Sequence, residues 1–193
     1  MPDFPEFQIY CDLDDTLVGF MGGFAAAMGQ PWDEAKLSID SDPAWGWVHL
    51  QQTTPGFWAD LKFLPGALSF WNTLTGEFPR ATVNILTAYP GTKCWNNPTP
   101  EQRAWIEHGK IKWMVKHLDV LPKRLYMCHR HEKQTFAGVW TVLIDDNATT
   151  IREFSDRGGY SIKFVGDHTQ PLREIRALYG AYIEAQDKAQ SVA

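Results

Sequence analysis

A chain of 193 residues with 44% hydrophobic and 21% charged side chains can form one domain with a real core, or one domain carrying a small insert. Its net charge of −5, with no basic run, argues against a long nucleic-acid groove, and no apolar run approaches the ~18 residues of a membrane span. The N-terminal Met1–Pro5 lacks the basic and apolar regions of a signal peptide, and three cysteines without a CxxC pair read as reduced thiols, so a cytoplasmic location is expected.

The first predicted strand, Phe7–Cys11, runs into Asp12-Leu13-Asp14-Asp15-Thr16-Leu17. Alternation along the strand would point Asp12 and Asp14 the same way. Two carboxylates held that close resist joint ionisation unless a cation or a shared proton relieves them. Gly19–Met28 has helical spacing of Phe20, Met21, Phe24, Ala25 and Met28, and Pro31–Leu37 suits a short helix. Asp42-Pro43 resembles an N-cap followed by Pro at the first helical position, starting a helix through Leu50. Thr54-Pro55-Gly56 breaks it, Phe57–Leu61 is a short helical turn, and Pro65-Gly66 precedes a helix over Ala67–Leu74. No strand is expected between the first strand and residue 80.

Ala81–Leu86 is the second strand, followed by Thr87-Ala88. After a loop through Asn96-Asn97-Pro98, the segment Thr99-Pro100-Glu101-Gln102 is a capping box that starts a helix to Leu118, with Gly109 a weak point. Lys123–Cys128 is the third strand and His129–Gly138 a polar loop. Val139–Ile144 is the fourth strand, ending at Asp145-Asp146-Asn147. A helix over Thr149–Arg157, a fifth strand over Ser161–Val165 and a helix from Pro171 to about Ala185 complete the chain. Strands alternating with helices give an α/β fold, a Rossmann-like parallel sheet of about five strands flanked by helices. The core is expected over 1–18 and 79–193, with a small helical cap over 19–78 inserted after the first strand.

In such sheets ligands sit beyond the carboxyl ends of the strands. Asp12 and Asp14, Thr87, Lys133, and Asp145 with Asp146 all fall there. Asp12, Asp145 and a backbone carbonyl near Asp14 are hard oxygen donors suited to Mg²⁺. His129 and His131 form an H-x-H, but no third ligand stands at a zinc-site spacing. The Thr87 hydroxyl, the Ala88 backbone N–H and the Lys133 ammonium are groups that phosphoryl oxygens need. One carboxylate can attack phosphorus, and a second can protonate the leaving oxygen and then deprotonate water.

Asp12-Leu13-Asp14-Asp15-Thr16 resembles the DxDx[TV] signature of the haloacid dehalogenase (HAD) superfamily, and Thr87, Lys133 and Asp145-Asp146 resemble its second, third and fourth motifs. The resemblance implies Asp12 as nucleophile and Asp14 as acid/base. It implies Mg²⁺ held by the Asp12 carboxylate, the Asp14 carbonyl and Asp145, with Asp146 near or on the metal. The superfamily's dehalogenases generally lack the second acid of the first motif, and its presence here favours phosphate chemistry. Thr54–Leu61 with Pro65-Gly66-Ala67, and Lys110–Leu118, are similar to segments of 5'(3')-deoxyribonucleotidases. That likeness implies Lys110 at the phosphate, Phe20, Phe57 and Trp58 around a nucleobase, and a (deoxy)nucleoside monophosphate as substrate. A sugar phosphate is the alternative substrate. A receiver-type phospho-accepting module places its Lys and acids in a different order, and a non-catalytic binding or assembly role sits poorly with intact acids. Exposed aromatic surface on the lid could pair subunits as a homodimer.

Overall fold

The computed structural model describes residues 4–35, 43–89, 99–118 and 124–191. The end of the expected short helix at 36–37, the Asp42 N-cap, the loop through Asn96-Asn97-Pro98 with Cys94, and Lys123 lie outside the described residues. Five strands form one parallel sheet: β1 (Phe7–Cys11), β2 (Ala81–Ala88), β3 (Leu125–Cys128), β4 (Thr141–Asp145) and β5 (Tyr160–Lys163), in the order β3-β2-β1-β4-β5. Helices among the described residues include α1 (Phe20–Met28), α2 (Pro43–Thr53), α3 (Ala67–Glu77), α4 (Pro100–His117), α5 (Ala148–Asp156) and α6 (Thr169–Ser191), and residues 32–35 are helical where a short helix is expected. This is the expected α/β architecture. No helix among the described residues is long and apolar enough to cross a membrane.

Alternation along the strands buries both faces of the sheet. Phe7, Ile9 and Cys11 of β1 join Val83, Ile85, Val142 and Ile144 in the larger core, while Tyr10 joins Leu86, Leu143 and Phe154 in the smaller one. Cys11 pairs with Ile85 on one side and with Ile144 on the other, so β1 and β4 end within one residue of each other while β2 continues three residues further, to Ala88. Asp12 extends this ladder by donating its N–H to Ile144 O at 2.9 Å.

Some boundaries differ from expectation. β2 runs to Ala88 because Thr87 and Ala88 pair with Met127 and Cys128 of β3. β4 starts at Thr141: the Thr141 hydroxyl binds the Gly138 N–H and carbonyl, both at 2.8 Å, closing a turn that leaves Val139 exposed at its tip. β5 is shorter because Gly166, at φ +89°, turns the chain away. The loop after β3 contains a 3₁₀ helix, Arg130–Phe136. The capping box of α4 forms, with Gln102 N–H on Thr99 Oγ1 at 3.2 Å and Thr99 N–H on Gln102 Oε1 at 2.9 Å.

The segment after β1 leaves and returns through a narrow neck, where Gly19 N–H binds Lys62 O at 3.0 Å and Leu64 N–H binds Leu17 O at 2.9 Å. Beyond it, Phe20, Phe24, Phe57 and Trp58 pack together, Phe20 and Trp58 stacked at 5.4 Å with planes 10° apart. Helix α4 closes onto this cluster. Trp105 and Trp113 donate their indole N–H groups to Pro55 O and Leu61 O, both at 2.8 Å, which for the buried Trp113 satisfies a donor that burial would otherwise strand. On the far side of the neck, α3 packs on α6 through Phe78 and Tyr179 and through Arg176 and Glu77.

Gly109, the weak point of α4, is where the helix meets the aromatic cluster most closely: a Cβ there would lie 2.4 Å from Trp58 Cβ. Trp58 is wedged among three other rings and cannot step aside freely. Gly109→Ala is therefore expected to destabilise the fold by about 1–3 kcal/mol despite the better helix propensity of Ala. Urea denaturation measures this, and an unchanged or raised midpoint would mean that the contact is not tight.

Candidate active site

Lys133, on the 3₁₀ helix after β3, is 2% exposed. Its ammonium lies 2.7 Å from Asp12 Oδ1 and 2.7 Å from Asp145 Oδ2, bridging the ends of β1 and β4. Burial works against its charge, but Asp12 and Asp145 outweigh burial and raise its pKa above the ordinary lysine range. It is a fixed cation set between two buried acids.

One lysine does not neutralise the acids gathered there. Oxygen atoms of Asp12, Asp145 and Asp146 all lie within 4.8 Å of one another. Burial, then Asp12, push Asp145 up to about 6, even though Lys133 and an N–H bond from Asn147 pull the other way. Burial, then Asp12 and Asp145, push Asp146 up to about 7. Three carboxylates against one ammonium leave negative charge unbalanced, and hard oxygens at this spacing fit a divalent cation of the Mg²⁺ type.

Asp14 belongs to a second ion pair. After β1 the chain turns tightly, with Leu17 and Val18 N–H groups on Leu13 O and Asp15 at φ +52°. This separates Asp14 from Asp12 rather than letting both point alike as a continued strand would. Asp14 Oδ2 accepts from Lys110 Nζ at 2.6 Å. Lys110, fully buried, spends its other two donors on Thr87 Oγ1 at 2.8 Å and Ala88 O at 3.0 Å, and its Nζ lies 4.9 Å from the centre of the Trp58 ring. Burial raises the Asp14 pKa, and Lys110 opposes it. Asp14 Oδ1 is buried without a hydrogen-bond partner among the described residues, so one face of this carboxyl remains to be satisfied by a ligand or water.

The structure thus brings Asp12, Asp145, Asp146 and Lys133 together, and joins Asp14, Lys110, Thr87 and Ala88 beside them. It places Phe57 and Trp58, 4% and 1% exposed, inside the aromatic cluster beyond the neck, with Phe20 half-buried against them. Neither Phe57 nor Trp58 offers an open face to a base in this conformation, because their rings are spent on one another. Among the described residues, the Asp12 group is the one cluster of three or more metal-ligating side chains, and His129 and His131 stack on each other at 5.8 Å without a third ligand. Asp15 has a structural task that the sequence does not reveal. It caps α1, accepting the Met21 N–H at 3.0 Å, because Gly19 at the cap position has no side chain to do so.

No family model and no curated protein matches the sequence. Solved structures do. The chain is similar to the HAD-hydrolase YfnB from Bacillus subtilis, in a form bound to magnesium, with TM-score 0.52 and 12% identity over 83% of this chain and 87% of that one. A HAD family hydrolase from Deinococcus radiodurans R1, with bound phosphate and sodium, aligns at TM-score 0.49 and 14% identity over 92% and 98% of the two chains. The chain has the HAD fold.

The crowded acids give metal-free stability a defined pH dependence. The ordinary Asp pKa is 3.8, whereas Asp145 and Asp146 sit near 6 and 7 in the folded protein. Between about pH 4 and pH 7 the folded state binds more protons than the unfolded chain, so its stability falls as pH rises through that window. The Tm after EDTA treatment should be lower at about pH 8 than at about pH 5, and less so in Asp146→Asn. Saturating Mg²⁺ should raise the Tm more at the higher pH. Equal Mg²⁺ effects at both pH values would contradict the account.

Proposed function

We propose that this protein is a Mg²⁺-dependent phosphomonoesterase acting on a small phosphate ester through an aspartyl-phosphate intermediate. The observation that carries the proposal is the division of the acids between two buried lysines. Asp12 is paired with Lys133 beside Asp145 and Asp146, while Asp14 stands apart on Lys110 with a raised pKa. Such a separation of environments is how two carboxyl groups take different roles in one site.

In the proposed reaction, an Asp12 oxygen attacks phosphorus as the bond from phosphorus to the leaving oxygen breaks. Asp14, carrying a proton, delivers it to that oxygen. Asp14 then takes a proton from water as the water attacks phosphorus and the bond from Asp12 to phosphorus breaks, which returns both acids to their starting state. Lys133 fixes the rotamer of Asp12, and Lys110 fixes that of Asp14. Asp12, Asp145 and Asp146, with the Asp14 carbonyl, are the groups that would hold Mg²⁺, which supplies positive charge to the phosphoryl oxygens when bound.

The lid in this proposal is made of the described residues beyond the neck, 20–35 and 43–61, since α3 belongs with α6 on the other side. A lid of that size favours a small substrate, and it would exclude water from the reacting acids when closed. The resemblance of residues 54–61, 65–67 and 110–118 to deoxyribonucleotidases favours a nucleoside monophosphate. The burial of Phe57 and Trp58 in the lid core favours a second reading, a compact leaving group such as a sugar, which needs no stacking surface.

Phosphate release across nucleoside monophosphates and sugar phosphates, with Mg²⁺ and with EDTA, decides among these. Activity is expected with Mg²⁺ and its loss with EDTA. Asp12→Asn should lower kcat on the order of a thousandfold or more with the Tm retained. Substantial turnover by that variant would remove Asp12 from the nucleophile role.

A further inference from the structure

His168 lies in the turn between β5 and α6, 152 residues from Thr16, yet its Nε2 is 2.9 Å from the Thr16 carbonyl oxygen. A carbonyl only accepts, so Nε2 carries the proton and donates. The imidazole is buried and held on two sides, its centre 4.8 Å from the Phe70 ring and 4.5 Å from the Phe164 ring. Its backbone is fixed in turn. Gly166 at φ +89° makes the bend, and Asp167 Oδ1 accepts the Thr169 N–H at 2.8 Å at the start of α6. The ring is thus a rigid donor aimed at a single atom of the loop that carries Asp12 and Asp14.

That loop needs a hold at this point. Inside it, the N–H groups of Leu17 and Val18 close onto Leu13 O at 2.9 and 3.0 Å, and Asp15 N–H binds Val18 O at 2.7 Å. The Thr16 hydroxyl is fully buried and has no partner among the described residues, so it does not anchor its own peptide. The carbonyl of the same residue is where His168 pulls. A tilt of the Thr16 peptide would be passed to Asp14, two residues earlier, and to Asp12, four residues earlier. Both acids make contacts of 2.6–2.7 Å to lysines on other elements and tolerate little displacement.

We propose that His168 is a positioning residue for the catalytic loop. It touches no reacting atom, and it sets the placement of Asp12 and Asp14 through the Thr16 carbonyl. The catalytic part of this inference rests on the phosphomonoesterase proposal, while the structural part does not.

A series at one position separates hydrogen bonding from packing. His168→Phe fills the slot between Phe70 and Phe164 but cannot donate, whereas His168→Gln has a side-chain N–H that reaches the same carbonyl. In His168→Phe, kcat should fall about 10- to 100-fold, the size expected when reacting groups are displaced by a fraction of an ångström to an ångström, with KM within about twofold. His168→Gln should stay within about threefold of wild type. Hydrogen exchange gives a second readout that needs no turnover: the Leu17 and Val18 amides should exchange faster in His168→Phe and at the wild-type rate in His168→Gln.

Should His168→Phe not fold, His168→Ala replaces it. The cavity of about 260 Å³ that His168 lines with Gly66, Ser69 and Thr169 would open further, and free imidazole should restore the slow amide exchange. Wild-type kcat with wild-type exchange in His168→Phe, or an Ala variant on which imidazole has no effect, would overturn the positioning role. If the wild type itself releases no phosphate while the exchange rates follow the series, the phosphatase proposal fails and the anchoring of the loop stands.

Discussion

The buried ammonium of Lys133 ties together two adjacent inner strands at the edge of this sheet. Lys133 binds Asp12 at the end of β1 and Asp145 at the end of β4, and without it those acids would face each other across neighbouring strands with no counter-charge. Breaking such a pair in a buried setting is costly, because each remaining charge is left uncompensated. The lysine is insufficient by itself, since Asp146 adds a third carboxyl within 4.8 Å. The remaining imbalance is the physical reason to expect a second cation, one that the described residues do not supply.

The parallel sheet makes this concentration of charge possible. The level pairing of Cys11 with Ile85 and Ile144 brings residues that are far apart in sequence to one edge. The segment after β1 then reaches over the same edge through its neck and lays Trp58 against Lys110, whose ammonium also binds Asp14. The aromatic cluster beyond the neck and the second acid therefore share one lysine. A movement of Trp58 would be felt at Asp14 through Lys110, which ties the packing of the aromatic cluster to the state of the acid.

Much of this is legible in the sequence. The five strands follow from apolar runs that alternate or continue as buried parallel strands do, and the α4 start follows from Thr99, Pro100 and Gln102, whose capping chemistry is local. The acids stand out because three of them crowd four positions after a strand. What the sequence hides is non-local. The partition of Asp12 and Asp14 between two lysines depends on a turn at Asp15. The cap that Asp15 gives α1 depends on Gly19 leaving that position empty. Whether Phe57 and Trp58 line a pocket or fill a core depends on how the lid closes on α4, where Gly109 permits contact. The bond from His168 to Thr16 spans nearly the whole chain, and a lone histidine gives no local sign of it.

Calorimetric titration with Mg²⁺ at about pH 7, in two buffers of different ionisation enthalpy, tests the central claim most directly. Crowded, partly protonated carboxylates should bind one Mg²⁺ and release protons as they do so, giving an observed heat that differs between the buffers, and Asp145→Asn should abolish or strongly weaken binding. Wild-type protein that takes up no Mg²⁺, or an Asp145→Asn variant that binds it as tightly, would contradict the account.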